Sequence, residues 1–364
     1  MPAPFVLLDD ARPEGASDAR LYRDPREVIV ARRAGEVAAA LDRIEALADE
    51  GAALAGYIAY EAGLALEPRL AALRAPSGAA GPLVWFGAFD GWETISADAV
   101  PAWLAREAGP TAAIGPLEPQ LSPGAYAAAF ATLQGRIEAG DIYQANLTFP
   151  LAASWCGDPL ALYAAIRPHA AAGYGGVIHD GSHWLLSFSP ELFVAFKDGS
   201  VTAKPMKGTR PRCGGPAEDA RLAADLSQSV KDRAENLMIV DLIRNDLSRV
   251  AAAGSVRVEK PFAVESYPSV HQMTTTVRAT LLPERTALDL LRAAFPCGSI
   301  TGAPKIRAME LIGEVERDGR GPYCGAIGRI DPSKGQGPSE AAFNVAIRTL
   351  RLDPETGRAT MGVG

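Results

Sequence analysis

Nine consecutive residues, Lys204-Pro205-Met206-Lys207-Gly208-Thr209-Arg210-Pro211-Arg212, hold four cations, two prolines and a glycine at the end of an apolar, strand-like run. Proline fixes φ and glycine frees it, so the segment predicts a kinked turn that gives Lys207 a determined direction. A lysine held among other cations and shielded from water loses its proton more readily and can act as a nucleophile. A basic surface turn is the plainer reading of the same residues.

Three further stretches carry groups with chemical potential. Asp232-Arg233-Ala234-Glu235-Asn236 leads into a helix that is apolar almost all round and is expected to be buried, with Val240, Ile243, Leu247 and Val250 as its core stripe. Glu235 either holds a metal ion or is a helix-start carboxylate favoured by the dipole. Asp246 lies eleven residues on, roughly 16 Å away at the helical rise, so any second carboxylate for Glu235 must come from elsewhere. Gly298-Ser299-Ile300-Thr301-Gly302-Ala303-Pro304-Lys305 opens a helix, where free N–H groups can receive a carboxylate or phosphate; such turns also serve structure alone. Arg348, within the strand-like Asn344–Thr349 run, either bridges to an internal acid or offers a bidentate fork to a ligand carboxylate.

Composition narrows the classes. The 364 residues are 48% hydrophobic and 22% charged with net charge −7, which fits a soluble globular protein and disfavours a general nucleic-acid footprint. No apolar run approaches the roughly 20 residues of a membrane span. Met1-Pro2-Ala3-Pro4-Phe5 lacks the basic start and long apolar stretch of a signal peptide. Cys156, Cys213, Cys297 and Cys324 are scattered without a C-x-x-C pair, which disfavours zinc and suits a reducing, cytoplasmic setting. The four histidines form no metal-binding pair. A metal would therefore be held by carboxylate oxygens, as magnesium is.

The elements that must position these groups read as antiparallel strands with inserted helices. Phe5–Leu8, Glu27–Val30, Gly56–Glu61 and Pro82–Gly87 are strand candidates, and Glu36–Asp49 is a helix. Pro101 to Pro119 is rich in Pro, Gly and Ala, and residues 111–120 are expected to link an N-terminal lobe (1–110) to a second domain (121–364). A helix from Pro123 to about Ala139 places Tyr126, Phe130, Leu133 and Ile137 on one face. Gly175 to Met206 reads as a meander broken at Ser189-Pro190-Glu191. A helix or helix pair spans Ala217–Val250, another helix Pro304–Glu316, and Phe343–Leu352 with Ala359–Val363 form a closing hairpin.

Taken in order, GDIYQANL (140–147), SFSPELF (187–193), KPMKGTRPR (204–212), DRAENLMIVDLIRNDL (232–247), GSITGAPKIRAME (298–310), YCGAIG (323–328) and NVAIRTL (344–350) resemble the chorismate-utilising enzymes, the family of anthranilate, aminodeoxychorismate, isochorismate and salicylate synthases. The resemblance covers roughly residues 120 to 364, and FVLLDDAR with GYIAYEAGLALEP extends it into the first lobe, towards the aminodeoxychorismate branch. It implies an α+β fold of large antiparallel sheets forming a two-lobed sandwich with helices outside. Water-adding members place a lysine where this chain has Gln144, and anthranilate synthases typically lack a lysine at the position of Lys207. Both features, with Thr301, point to amination of chorismate at C4 to 4-amino-4-deoxychorismate. Anthranilate formation is the nearest alternative, and a non-catalytic chorismate-binding subunit is the alternative from another class.

The resemblance further implies that Lys207 attacks C2, Glu191 protonates the departing C4 hydroxyl, and ammonia then enters at C4 and expels the lysine. Substrate would be held by His271, Thr301, Gly302, Ala303, Tyr323, Arg348, Gly362 and Gly364. Magnesium would be held partly by Glu235. A free lysine is neutral in only about one molecule in 2,500 at pH 7, and Lys204, Arg210 and Arg212, with burial, are expected to supply the repulsion that favours the neutral form. No G-x-C-x-G elbow for glutamine hydrolysis is present, so a glutamine amidotransferase partner is expected to deliver ammonia. The sequence stops at Gly364, inside a glycine-rich strand after which the family carries its remaining metal-binding glutamates. The chain as written is therefore expected to hold half of the magnesium site and to have little activity.

Overall fold

Short runs of β-branched, aromatic and aliphatic residues, separated by turn dipeptides, dominate the chain, and in the computed structural model they assemble into two ten-stranded antiparallel sheets. The structure describes residues 3–71, 73, 81–332 and 340–364; Met1 and Pro2 of the N-terminal stretch lie outside them. The first sheet runs Glu93–Ile95, Ala19–Arg23, Phe5–Asp9, Tyr174–His179, Trp184–Ser189, Thr349–Asp353, Arg358–Val363, Phe149–Gly157 and Ala112–Ile114, with Glu118–Pro119 also on Phe149–Gly157. In the second, Val270–Thr280 carries Arg257–Ser266 on one edge and, end to end on the other, Met206–Pro211 and Ser200–Lys204. Beyond these follow Leu192–Lys197, Glu340–Val345, Ala326–Asp331, Ala53–Ile58, Val84–Phe89 and Glu27–Ala31.

The sheets face each other across an apolar layer to which Val6, Tyr22, Ile178 and Leu185 come from the first and Tyr57, Trp85, Phe89 and Ile327 from the second. Helices Val100–Glu107 and Pro159–Ala170 cover the outer face of the first sheet, and Ala34–Asp49, Val230–Ser248 and Ala287–Ala294 that of the second. This is the expected α+β sandwich. Among the described residues no helix is long and apolar enough to cross a membrane.

Several local expectations change. Residues 1–110 give strands to both sheets, side by side with strands from beyond residue 170. Within the expected linker region lie the helix Val100–Glu107 and strands Ala112–Ile114 and Glu118–Pro119, both paired with Phe149–Gly157. Proline and glycine there mark strand edges and tight entries as well as loops. Helix Pro123–Glu138 is capped by Ser122, whose Oγ accepts from Ala125 N at 3.2 Å, but of its supposed apolar face only Leu133 is buried and Phe130 is 52% exposed. The Ala217–Val250 region is two helices, Pro216–Gln228 and Val230–Ser248. Val240, Ile243, Leu247 and Val250 are buried as expected, while Leu237 is 58% exposed, so the second helix is covered on one side only.

Candidate active site

The chain crosses between the sheets at two adjacent points, and both carry chemistry. After Trp184–Ser189 in the first sheet, Pro190 and Glu191 lead into Leu192–Lys197 in the second; after Glu340–Val345 in the second, Ala346 to Arg348 lead into Thr349–Asp353 in the first. The supposed single strand through Arg348 is therefore two strands with a crossing between them. Val345 N donates to Glu191 O at 3.1 Å and Ser189 Oγ to Val345 O at 2.6 Å, which laces the two crossings together. Arg348 has a φ of 50°, a left-handed conformation uncommon for a residue with a Cβ. Cys324 N donates to Ala346 O at 3.0 Å, and Ala346 N to Gly325 O at 2.9 Å, so Tyr323 is drawn alongside.

Lys207 arrives from a strand edge. Met206–Pro211 pairs with Val270–Thr280, and the register shifts between Met206 and Thr209. Lys207 and Gly208 thus form a bulge, with Gly208 at a φ of 88°. A bulge turns a side chain out of the strand's alternation, and it replaces the kinked turn expected from the sequence.

Glu191, Lys207, Tyr323, Arg348, Gly362 and Gly364 all line one cavity of about 270 Å³, together with Asn146, Met206, Ser299 and Ile300. Glu191 is 3% exposed, and its Oε1 accepts from Ser299 Oγ at 2.7 Å. Burial pushes its pKa up to about 7, against the opposing pull of Ser299 and of the Lys207 charge. Arg348 has no carboxylate within ion-pair distance among the described residues, and burial pushes its pKa below the usual arginine value. Of the two roles open to it from sequence, an internal bridge and a fork for a ligand carboxylate, the geometry favours the second. The cations flanking Lys207 are each occupied: Lys204 by Glu265, Arg210 by Asp225 (2.7 Å) and Asp232 (3.0 Å), and Arg212 by Asp219 (2.8 Å). The expected like-charge crowd around Lys207 is discharged by these acids, and the charged side chains lining the cavity are Lys207, Arg348 and Glu191. Gly362 lies under the Tyr323 ring so closely that a Cβ there would meet Cδ1 at 2.0 Å.

The other assigned residues lie outside this cavity. Thr301 is fully buried and donates through Oγ1 to Cys297 O (3.2 Å) and Gly298 O (3.3 Å). Gly302 and Ala303 pair with Ala145 and Gln144 as a two-stranded ribbon. These three hold the turn together rather than facing an anion. His271 Nε2 lies 3.0 Å from Asp219 Oδ1 and Nδ1 lies 2.8 Å from Ser266 Oγ, in a separate cleft with Arg212. Strand alternation places His271 on the same face as Thr275, which bonds to Asn236 of the helix Val230–Ser248, and so towards the helical layer. Asp246 is paired with Lys305 at 2.6 Å. Glu235 is 38% exposed by side chain, with Lys231 as its neighbour at 3.8 Å. Among the described residues no group of three or more His, Cys, Asp or Glu side chains could hold a metal ion. Magnesium rests on the resemblance alone, with Glu235 as the one carboxylate it assigns among these residues.

Two supporting residues escape a reading by motif. Ser299 sits inside the glycine-rich turn, where only its neighbours attract notice. Arg320 is 8% exposed and binds Glu316 through Nε (2.9 Å) and Nη2 (2.7 Å), Ile300 O through Nη1 (2.8 Å) and Asn146 O through Nη2 (2.7 Å). Glu61 from the first hundred residues accepts from Arg320 N (2.6 Å) and Gly321 N (3.0 Å), steadying the loop that carries Tyr323. The only signal in the sequence for either was its position beside a recognised motif.

Comparison with known proteins agrees with this fold. Residues 4–364 match the family described as chorismate binding enzyme. Aminodeoxychorismate synthase component 1 of Klebsiella aerogenes is 44% identical over 233 residues, 63% of this chain and 52% of that protein. Anthranilate synthase component 1 of Streptomyces coelicolor is 42% identical over 217 residues, 59% of this chain and 41% of that protein. The chain thus spans about half the length of the curated relatives it matches. The crystal structure of anthranilate synthase component I from Streptococcus pneumoniae superposes with a TM-score of 0.78 at 26% identity, covering 100% of this chain and 87% of that one. With its sandwich fold and its family match in agreement, the chain belongs to the chorismate binding enzyme family.

Proposed function

We propose that this protein aminates chorismate at C4, giving 4-amino-4-deoxychorismate with ammonia supplied by a glutamine amidotransferase subunit. The observation that carries the reading is the meeting of Lys207, Glu191 and Arg348 at the wall of one cavity. Arg348 takes a carboxylate of the dianionic substrate. The Lys207 amine forms a bond to C2 as the two conjugated ring double bonds shift and the C4–O bond breaks, and the departing hydroxyl takes a proton from Glu191 and leaves as water. Ammonia then bonds to C4, both double bonds shift back, and the C2–Nζ bond breaks; the carboxylate of Glu191 accepts the proton that the incoming nitrogen loses. A carboxyl with a pKa of about 7 can both give and receive that proton near neutrality.

Several relatives are named as component 1 of their synthase, which supports a second subunit as ammonia donor. Magnesium belongs to the proposal through the resemblance, with Glu235 as the side chain assigned to it. Lys207→Ala is expected to abolish formation of the aminated product from chorismate and ammonium salts. Wild-type product and rate from that variant would remove Lys207 from the reaction. Anthranilate formation is the second reading, favoured by the 42% identity to an anthranilate synthase component.

A further inference from the structure

Glu191 is buried in an environment that also contains a hydroxyl and a thiol, and this environment is more ordered than proton donation alone requires. Ser299 Oγ donates to Glu191 Oε1 at 2.7 Å, and Cys297 Sγ lies 3.2 Å from the same Oγ. All three side chains are at most 4% exposed. Burial pushes the Cys297 thiol up to about 12, so it stays protonated and serves as a weak donor. The turn bearing Ser299 is itself fixed: Arg320 holds Ile300 O, Thr301 Oγ1 holds the carbonyls of Cys297 and Gly298, and a Cβ at Gly298 would meet Leu242 Cδ2 at 2.5 Å.

We propose that Ser299 is a positioning residue for Glu191: its hydroxyl occupies Oε1, fixes the carboxyl's rotation, and leaves Oε2 to carry the proton that faces the cavity. The thiol of Cys297 holds that hydroxyl in turn. A hydrogen bond to the charged carboxylate favours it over the neutral acid, so Ser299, alongside the Lys207 charge and the Met206 backbone N–H that act in the same direction, sets how high in pH Glu191 remains a donor. Loss of the hydroxyl removes that stabilisation and moves Glu191 further above the ordinary carboxyl range.

This inference rests on Glu191 being the acid of the proposed reaction, and its test reads the carboxyl without relying on that reaction. Infrared difference spectra across a pH series report the protonated carboxyl of Glu191, assigned by its loss in Glu191→Gln. Ser299→Ala is expected to move that titration up by roughly one pH unit, the size of a charge-assisted hydrogen bond, and Ser299→Thr to restore it. An unshifted titration in folded Ser299→Ala overturns the proposal. If the alanine variant does not fold, Ser299→Cys, with similar volume and a weaker donor, is expected to give a smaller upward shift, and an unshifted titration there overturns it equally. In turnover, Ser299→Ala is expected to lower kcat about tenfold, move the alkaline limb of the pH profile upward by the same unit, and leave KM for chorismate within about twofold. An altered titration with no turnover in wild type would instead remove the reaction and keep the hydrogen bond.

Discussion

Glu191 shows how one residue trades stability for chemistry. Its folded pKa of about 7 lies above the ordinary glutamate value, so between those two pH values the native state binds more protons than the unfolded chain. Stability from this group is therefore fully present below the unfolded pKa and is lost as pH rises through about 7. Glu191→Gln is expected to be more stable than wild type at pH 8, on the order of 2–3 kcal/mol, and nearly equal at pH 4, as read from denaturant midpoints. The same variant is expected to lose turnover by roughly a hundred- to ten-thousand-fold. Because the acid must be protonated, kcat is expected to fall above pH 7 with one ionisation. Arg348→Ala, which removes a guanidinium with no ion-pair partner among the described residues, at a left-handed position, is expected to raise KM about tenfold or more through the lost charged hydrogen bonds.

At the scale of elements, the site depends on irregularities in otherwise regular strands. The bulge at Lys207 and Gly208, the break at Pro190 and the reversal at Arg348 each divert a side chain that period-two alternation would send elsewhere. Lys207 and Arg348 drew notice because proline, glycine or charge interrupts an apolar run there, whereas Glu191 stood only as a break in a strand until the resemblance gave it a role. His271 was not, because its direction depends on which face the helix Pro216–Gln228 covers, and Asp219 of that helix captures it. The reading of Tyr126 and Phe130 as a core stripe failed for a related reason: helical spacing names a face, and only packing decides what covers it. Gly362→Ala is expected to push the Tyr323 ring out of the cavity wall, costing about 1–3 kcal/mol of stability and weakening chorismate binding measured by titration. Arg320→Met, which leaves Glu316 buried without its partner and frees the turns at Asn146 and Ile300, is expected to cost about 3–5 kcal/mol.

For the whole molecule, alternating runs and hairpin dipeptides were enough to give an antiparallel α+β layout, and the resemblance supplied the sandwich; the pairing of strands distant in sequence was not legible. Strands near the N-terminus sit between strands from the far end of the chain, as Phe5–Asp9 does beside Tyr174–His179 and Ala53–Ile58 beside Ala326–Asp331. Local sequence carries no record of such long-range pairing. The consequence reaches the cavity, since Glu61 and Tyr60 hold the loop before Tyr323. With magnesium and ammonium salts in place of glutamine, the low turnover of chorismate expected of this chain needs no second subunit, and with glutamine it requires the amidotransferase subunit; product from glutamine without that subunit would remove the two-subunit reading.

Amination at C4 retains the enolpyruvyl side chain of chorismate, and the identity of the product decides it. Chorismate, magnesium and ammonium chloride are incubated with the protein and the product is separated and examined by mass spectrometry and fluorescence. The expected product carries an amino group in place of a hydroxyl, keeps its enolpyruvyl ether and does not fluoresce as an aromatic amine. Fluorescent anthranilate with released pyruvate would contradict the account.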